Sequence, residues 1–306
     1  MTVLVTGCYG FLGHATCVRL LEAGHVVVGI DKVRGAISPK AERIENLKQF
    51  PQFQFEEVNL TDYGSIVALL KQHKPECVAH FAAQYSVGLN HETALQYRDA
   101  NLVGYVNLME ATSIARTTRV MYASSTFVQD GKLQSSMYGM TKEFGERCGN
   151  VYVSSYGMTV VNLRFGSVYG PFMRPDAAPY QLCKKLFAKQ PIDVTHGGFN
   201  YKVAFLFIDD AIECVVRALT NPLELKYSTV TVVAEDYLAD LDDVLQGLEK
   251  ASGLKAIRAG ELAPRQGFQI PTEKCDVTRQ ILGYAPQTKL GVGCERLVEW
   301  WRATNR

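Results

Sequence analysis

Three glycines near the start of the chain constrain its fold more than any other feature. In Thr6-Gly7-Cys8-Tyr9-Gly10-Phe11-Leu12-Gly13 they stand at G-x-x-G-x-x-G spacing. An apolar run, Val3-Leu4-Val5, precedes them, and a helical pattern through Leu20, Leu21 and Ala23 follows. The order is strand, tight turn, helix. Such a turn is needed where a backbone must approach a pyrophosphate closely. Side chains would stand in the way, and the helix N-terminus offers free N–H groups and the positive end of its dipole. Gly13 would let helix and strand pack tightly. A second apolar run, Val26-Val27-Val28-Gly29-Ile30, ends at Asp31, whose carboxylate would accept hydrogen bonds from an adenosine ribose. An ordinary βαβ turn with a solvated aspartate is the plainer alternative. The strand before, helix after and acid beyond favour the dinucleotide site.

From there strands and helices alternate. Helices are expected near 41–49, 65–73, 92–115 and 138–156, and strands at 52–58, 77–81, 119–123 and 159–163. This pattern predicts an α/β fold, a doubly wound parallel Rossmann-type sheet with helices on both faces. Its ligand crevice should lie beyond the carboxyl ends of the strands. After Gly170-Pro171 the elements become short and are separated by Gly and Pro. We therefore expect a dinucleotide-binding domain over 1–170, with some later elements returning to it, and a smaller substrate-binding lobe over 171–306.

The candidate chemistry lies in Tyr138-Gly139-Met140-Thr141-Lys142 at a helix start. Tyr and Lys at i and i+4 share one helix face. A phenol of pKa about 10 is a poor base at neutral pH, and a neighbouring ammonium stabilises its phenolate. Ser124-Ser125-Thr126 ends the preceding strand and can present hydroxyls to the same crevice. Taken alone, such a Tyr and Lys are more often a solvated helix face; behind a nucleotide-binding half and a serine-bearing strand end they read as a catalytic pair.

Composition narrows the partners. A net charge of +1 over 306 residues gives no electrostatic case for nucleic acid or an anionic membrane. No apolar run is long enough to span a bilayer, and no basic stretch leads an apolar signal core. The eight cysteines are scattered without a C-x-x-C pair, which suits buried thiols in a reducing, cytoplasmic compartment rather than a disulfide or zinc framework. His14 and His25 lack partners at metal spacing, so no metal site is expected. His80, after a buried strand, reads as structural.

The sequence resembles the extended short-chain dehydrogenases/reductases of the nucleotide-sugar epimerase and dehydratase group along essentially its whole length. The glycine turn, Asp31, Asn59-Leu60-Thr61-Asp62, His80-Phe81-Ala82-Ala83, Asn101, Tyr138 with Lys142, Leu163-Arg164, Val168-Tyr169-Gly170-Pro171, Ile208-Asp209-Asp210, Leu282-Gly283-Tyr284 and Glu299-Trp300 carry it. The resemblance implies NAD held by Gly7, Gly10, Phe11, Leu12, Gly13, Asp31, Lys32, Asn59, Leu60, Asp62 (near the adenine), Phe81, Ala82, Ala83, Asn101, Ser124, Tyr138 and Lys142. Lys32 and Arg34 would suit NADP, but Asp31 would repel a 2′-phosphate. Ser125, Tyr138 and Lys142 would be catalytic. A nucleotide-sugar substrate would meet Gln84, Ser125, Thr126, Ser167, Arg174 and Lys202.

Family dehydratases carry acids directly after the catalytic serine, whereas this chain has Thr126 and Phe127, so loss of water lacks its acid and base. Around Ala83-Gln84-Tyr85-Ser86-Val87 and Asn101-Leu102-Val103-Gly104 the sequence is most similar to the UDP-glucuronate 4-epimerases. That implies C4 inversion through a transient 4-keto sugar. Four features depart from the family: Val128-Gln129-Asp130 replaces Val-Tyr-Gly, the stretch between Ser125 and Tyr138 is short, and Ser167 and Val203 replace the Asn and Arg expected on the diphosphate. Lys202, Arg174 or Arg265 could substitute, or be solvated charges. A C4 dehydrogenase or reductase, and a silent dinucleotide-binding sensor, are the alternatives. The resemblance also implies a homodimer through the helices 92–115 and 138–156, with Val103, Val106 and Met109 as its apolar stripe.

Overall fold

The computed structural model describes residues 1–32, 40–85, 91–129, 136–195, 197–233, 238–262 and 276–304. Arg34, Ser86, Val87, Asp130 and Arg265 lie outside the described residues. The first half runs β1 (Thr2–Thr6), α1 (Phe11–Glu22), β2 (Val26–Ile30), α2 (Lys40–Lys48), β3 (Phe53–Glu56), α3 (Tyr63–His73), β4 (Cys77–His80), α4 (His91–Tyr97), a π-helical turn (Arg98–Val103), α5 (Gly104–Ile114), β5 (Arg119–Ser125), α6 (Met137–Tyr156) and β6 (Thr159–Phe165). The second half runs β7 (Ser167–Tyr169), α7 (Ala178–Phe187), β8 (Pro191–Asp193), β9 (Val203–Phe207), α8 (Ile208–Thr220), β10 (Tyr227–Val232), β11 (Leu238–Ala239), α9 (Leu241–Ser252), β12 (Ile257–Ala259), α10 (Asp276–Leu282) and α11 (Leu290–Thr304).

Seven strands form one parallel sheet in the order β10-β6-β5-β4-β1-β2-β3. Alternation along the strands divides their side chains between two buried faces. Leu4, Val28, Val78, Val120 and Val160 pack with Leu69, Leu70, Leu108 and Met109 of α3 and α5. Val3, Val5, Val27, Met121, Val161 and Val230 pack with Leu20, Ala211, Val215 and Leu219 of α1 and α8. Strand order reverses between β1 and β4, which places the ligand crevice over their carboxyl ends.

β10 comes from the second half of the chain yet forms an edge of this sheet, and α8 bridges both halves. The remaining elements build a lobe around a three-stranded sheet, β11-β9-β7, and a parallel pair, β12-β8. Its core joins Phe205, Phe207, Leu182, Leu245, Leu297 and Trp301. Trp300 and Trp301 pack against Tyr180, as a folded C-terminal helix requires.

The helix expected over 92–115 is broken in mid-course by the π turn, and Asn101 sits buried within it. A π turn advances the helix by one extra residue and redirects the side chains inside it. Asn101 uses that direction to accept from the Gln84 N–H at 2.7 Å and to donate to the Gln84 carbonyl at 3.1 Å and Thr141 Oγ1 at 3.0 Å. It thereby ties the segment after β4 to α6. Met109, expected on an exposed stripe, is instead wholly buried with Tyr105, Leu108 and Thr112. Tyr105 precedes Leu108 and Met109 by three and four residues, and Thr112 follows them by four and three, so helical phase turns all of them toward the sheet.

Candidate active site

A cavity of about 820 Å³ opens between the sheet and the lobe. Nearly every strand of the large sheet delivers a wall residue at its carboxyl end. Gly7 follows β1, Asp31 follows β2, Val58 and Asn59 lie beyond β3, Phe81 follows β4, Thr126 follows β5 and Gly166 follows β6. Lobe residues Met173, Tyr201, Val203 and Leu241 close the opposite side.

At one end lies the glycine turn. Gly7 has φ +70°, and a Cβ there would stand 2.9 Å from the Ala82 nitrogen. A Cβ on Gly13 would stand 2.1 Å from the Gly7 carbonyl oxygen. Neither position admits a side chain without moving backbone. Gly10 begins α1 without a side-chain cap, so the helix presents its leading N–H groups to the cavity. Asp31 is held from two sides: Oδ2 accepts from the Tyr9 N–H at 2.9 Å, and Oδ1 accepts from the Lys32 N–H at 2.7 Å and Lys40 Nζ at 2.9 Å.

At the other end the α6 pair meets the end of β5. Ser136 caps α6, accepting from the Gly139 N–H at 3.0 Å, so the helix starts where Tyr138 and Lys142 face the crevice. Lys142 is buried; its Nζ donates to the Ala123 carbonyl at 2.6 Å and lies 5.6 Å from the centroid of the Tyr138 ring. Burial pushes Lys142 down to about 8, and the Glu146 carboxylate opposes this. Burial pushes the Tyr138 phenol up, as does neighbouring Tyr85, whereas a hydrogen bond with the Ser125 side chain pulls it down. Phe127 and Tyr85 both stand edge-on to the Tyr138 ring, with centroids 5.6 and 4.8 Å away. Arg174 lies over Tyr85, its Cζ 4.6 Å from the ring centroid.

Behind Lys142 is a buried polar network. Glu146 accepts Ser124 Oγ at 2.5 Å and the Arg164 fork at 2.8 and 2.7 Å. Bidentate pairing satisfies a buried carboxylate whose desolvation would otherwise be costly.

A dinucleotide fits these residues. A turn with no room for side chains and an uncapped helix N-terminus suit a pyrophosphate, Asp31 suits a ribose diol, and the Tyr138, Lys142 and Ser125 cluster suits the reacting end. The sequence model of the NAD-dependent epimerase/dehydratase family matches residues 3–234. The chain belongs to that family.

A probable UDP-glucuronate 4-epimerase from Rhizobium meliloti is 28% identical over 98% of this chain and 97% of its own. An uncharacterized protein of Escherichia coli O111:H- is 30% identical over 99% of this chain and 98% of its own. The crystal structure of a tyrosine-to-phenylalanine mutant of UDP-glucuronic acid 4-epimerase from Bacillus cereus superposes with a TM-score of 0.85. It is 27% identical, with 99% of both chains covered, and it contains NAD and UDP-4-deoxy-4-fluoro-glucuronic acid.

Most residues singled out from the sequence line the cavity of this family member: Gly7, Gly10, Phe11, Leu12, Gly13, Asp31, Lys32, Asn59, Leu60, Phe81, Ala82, Ala83, Gln84, Ser124, Ser125, Thr126, Tyr138, Lys142, Ser167 and Arg174. Three do not. Asp62 caps α3, accepting the Ser65 N–H at 3.2 Å and Ser65 Oγ at 2.7 Å. Asn101 ties the wall together from behind, and Lys202 stands outside the wall between Tyr201 and Val203. His80 is structural: it is buried, bonded to Thr6 Oγ1 at 2.8 Å, and burial pushes it down to about 3. Sequence reasoning missed Lys40, Arg43 and Glu146. Only Glu146 carried a local signal, four residues after Lys142 on the same helix face.

Proposed function

We propose that this chain inverts C4 of a UDP-hexuronate, with NAD as its resident cofactor. The observation that carries the reading is the setting of Tyr138. Ser125 and Lys142 both approach the phenol, Tyr85 stands edge-on to its ring, and the Arg174 cation lies over Tyr85. No carboxylate occupies positions 126 or 127, so the acid and base for eliminating water are missing directly after Ser125.

Bound NAD supplies a hydride acceptor at C4 that can return the hydride to either face of the sugar. Tyr138 Oη takes the C4 hydroxyl proton, assisted by the Ser125 hydroxyl, and gives it back after the sugar has turned. Lys142, with a pKa of about 8, is mostly protonated at neutral pH and offsets the phenolate charge. Arg174, one ring away from Tyr138, is suited to the hexuronate carboxylate at C5, close to the reacting carbon. That placement is nearer the sugar than the diphosphate. The apolar wall of Val203, Tyr201 and Leu241 would flank the nucleotide.

We also propose a homodimer through α5 and α6, supported by exposed Val106, Ile114, Phe144 and Val151 on those helices. Light scattering should give twice the chain mass, and a monomer at micromolar concentration would refute it. No described helix is long and apolar enough to cross a membrane, and the described cysteines are free, which supports a cytoplasmic site. The function is tested with UDP-glucuronate, following C4 inversion and the absorbance of reduced nicotinamide together. Inversion without accumulating reduced cofactor is expected. Stoichiometric reduction without an inverted sugar would promote a C4 dehydrogenase instead.

A further inference from the structure

Arg43 takes no part in proton transfer, yet its position is demanding. It lies on α2, is only 4% exposed and lines the cavity. Nε donates to the Tyr9 carbonyl at 2.8 Å, inside the glycine turn, and Nη1 donates to the Phe172 carbonyl at 2.6 Å, in the loop after β7. One guanidinium fork therefore joins the cofactor wall to the substrate wall. Burial pushes it down to about 10, Asp31 and Glu42 oppose that, and Arg174 adds to it. A methionine could fill the same volume without the desolvation cost, so packing alone does not explain a cation here.

The loop it holds is itself constrained. Phe172 has φ +62°, a left-handed conformation uncommon for a bulky side chain. Its ring lies 5.2 Å from His14 and 5.6 Å from Trp300, and Arg43 holds its carbonyl. Two residues later Arg174 reaches over Tyr85, which stands edge-on to Tyr138. A loop released at Phe172 would let Arg174 swing away from the reacting end.

We propose that Arg43 is a positioning residue for substrate recognition, tying the glycine turn to the 170–174 loop so that Arg174 faces the sugar beside Tyr138. This rests on the hexuronate reading above. The fork also links the two binding walls, so an intact cofactor turn supports the carboxylate pocket. Lysine has no fork with which to span both carbonyls in that geometry.

A double-mutant cycle tests it. Arg43→Met, Arg174→Met and the double variant are compared in kcat/KM for C4 inversion, and in Kd for UDP-glucuronate by calorimetry on the NAD-loaded protein. Thermal midpoint and NAD content are recorded for each. If Arg43 acts through Arg174, Arg43→Met raises KM more than it lowers kcat. The double variant then binds no worse than Arg174→Met alone, a coupling within the roughly 2- to 150-fold range of contacting networks. Losses that multiply in the double variant would overturn the proposal, because a merely structural Arg43 acts independently of Arg174. If Arg43→Met does not fold, Arg43→Lys carries the same cycle. UDP-glucuronate bound without inversion would count against the epimerase reading and leave the cycle on Kd intact, so the two failures are distinct.

Discussion

Gly145 gives a sharp test of how α6 is seated. It faces β5, and a Cβ there would stand 2.1 Å from Tyr122 Oη and 2.2 Å from Tyr122 Cζ, against an ordinary contact of 3.4 Å or more. Tyr122 cannot give way cheaply. The residue is 2% exposed, its ring stacked 5.8 Å from His80 and tilted against Tyr105 at 4.6 Å. In Gly145→Ala the helix must therefore move outward by about 1 Å, carrying Lys142, whose Nζ lies 5.0 Å from the same Tyr122 ring. Overpacking costs about 1–3 kcal/mol, from which a helix-propensity gain of about 1 kcal/mol is subtracted, so stability should fall by roughly 0–2 kcal/mol. Activity should fall further, by about 10²-fold, because a displacement of that size disturbs reacting geometry. Gly291 on α11 is the control: among the described residues nothing lies within 4 Å of its Cβ position, so Gly291→Ala should be neutral or stabilising. Thermal melts and C4-inversion rates decide. A Gly145→Ala protein that melts higher and keeps full activity would refute the reasoning.

Other outcomes follow from the same site. Tyr138→Phe should keep its ring contacts with Tyr85 and Phe127, retain NAD, and lose about 10²–10⁴-fold in turnover, as expected for removal of a general base; a fully active variant would remove the mechanism. Lys142 loses its charge as pH rises through about 8, so kcat should fall on that limb. Glu146→Gln removes the carboxylate that supports the protonated form of Lys142, so the basic limb should move to lower pH; an unmoved limb would show that Lys142 does not set it.

What could be read from the sequence was local in origin. The glycine turn is a run of eight residues, and Tyr138 with Lys142 is one helical turn, so their spacing alone predicts their meeting. The alternation of strand and helix carried the sheet and the place of its crevice. The missed parts depend on contacts between distant segments. Arg43 meets Phe172 and Glu146 meets Arg164 only once α2, α6, β6 and the loop after β7 are in place. The π turn was invisible because its residues look helical; what marks it is Asn101 reaching Gln84 and Thr141. Asp62 has a second, structural role that was also local. An aspartate three residues before Ser65 at a helix start has the signature of an N-cap, and the structure shows that cap.

The central claim is that hydride leaves C4 and returns to the same carbon within one site. It is tested most directly with UDP-glucuronate carrying deuterium at C4, turned over in ordinary water. The account predicts UDP-galacturonate that retains the deuterium at C4, with no net reduction of nicotinamide. Product in which the C4 deuterium has been replaced by solvent hydrogen would contradict it.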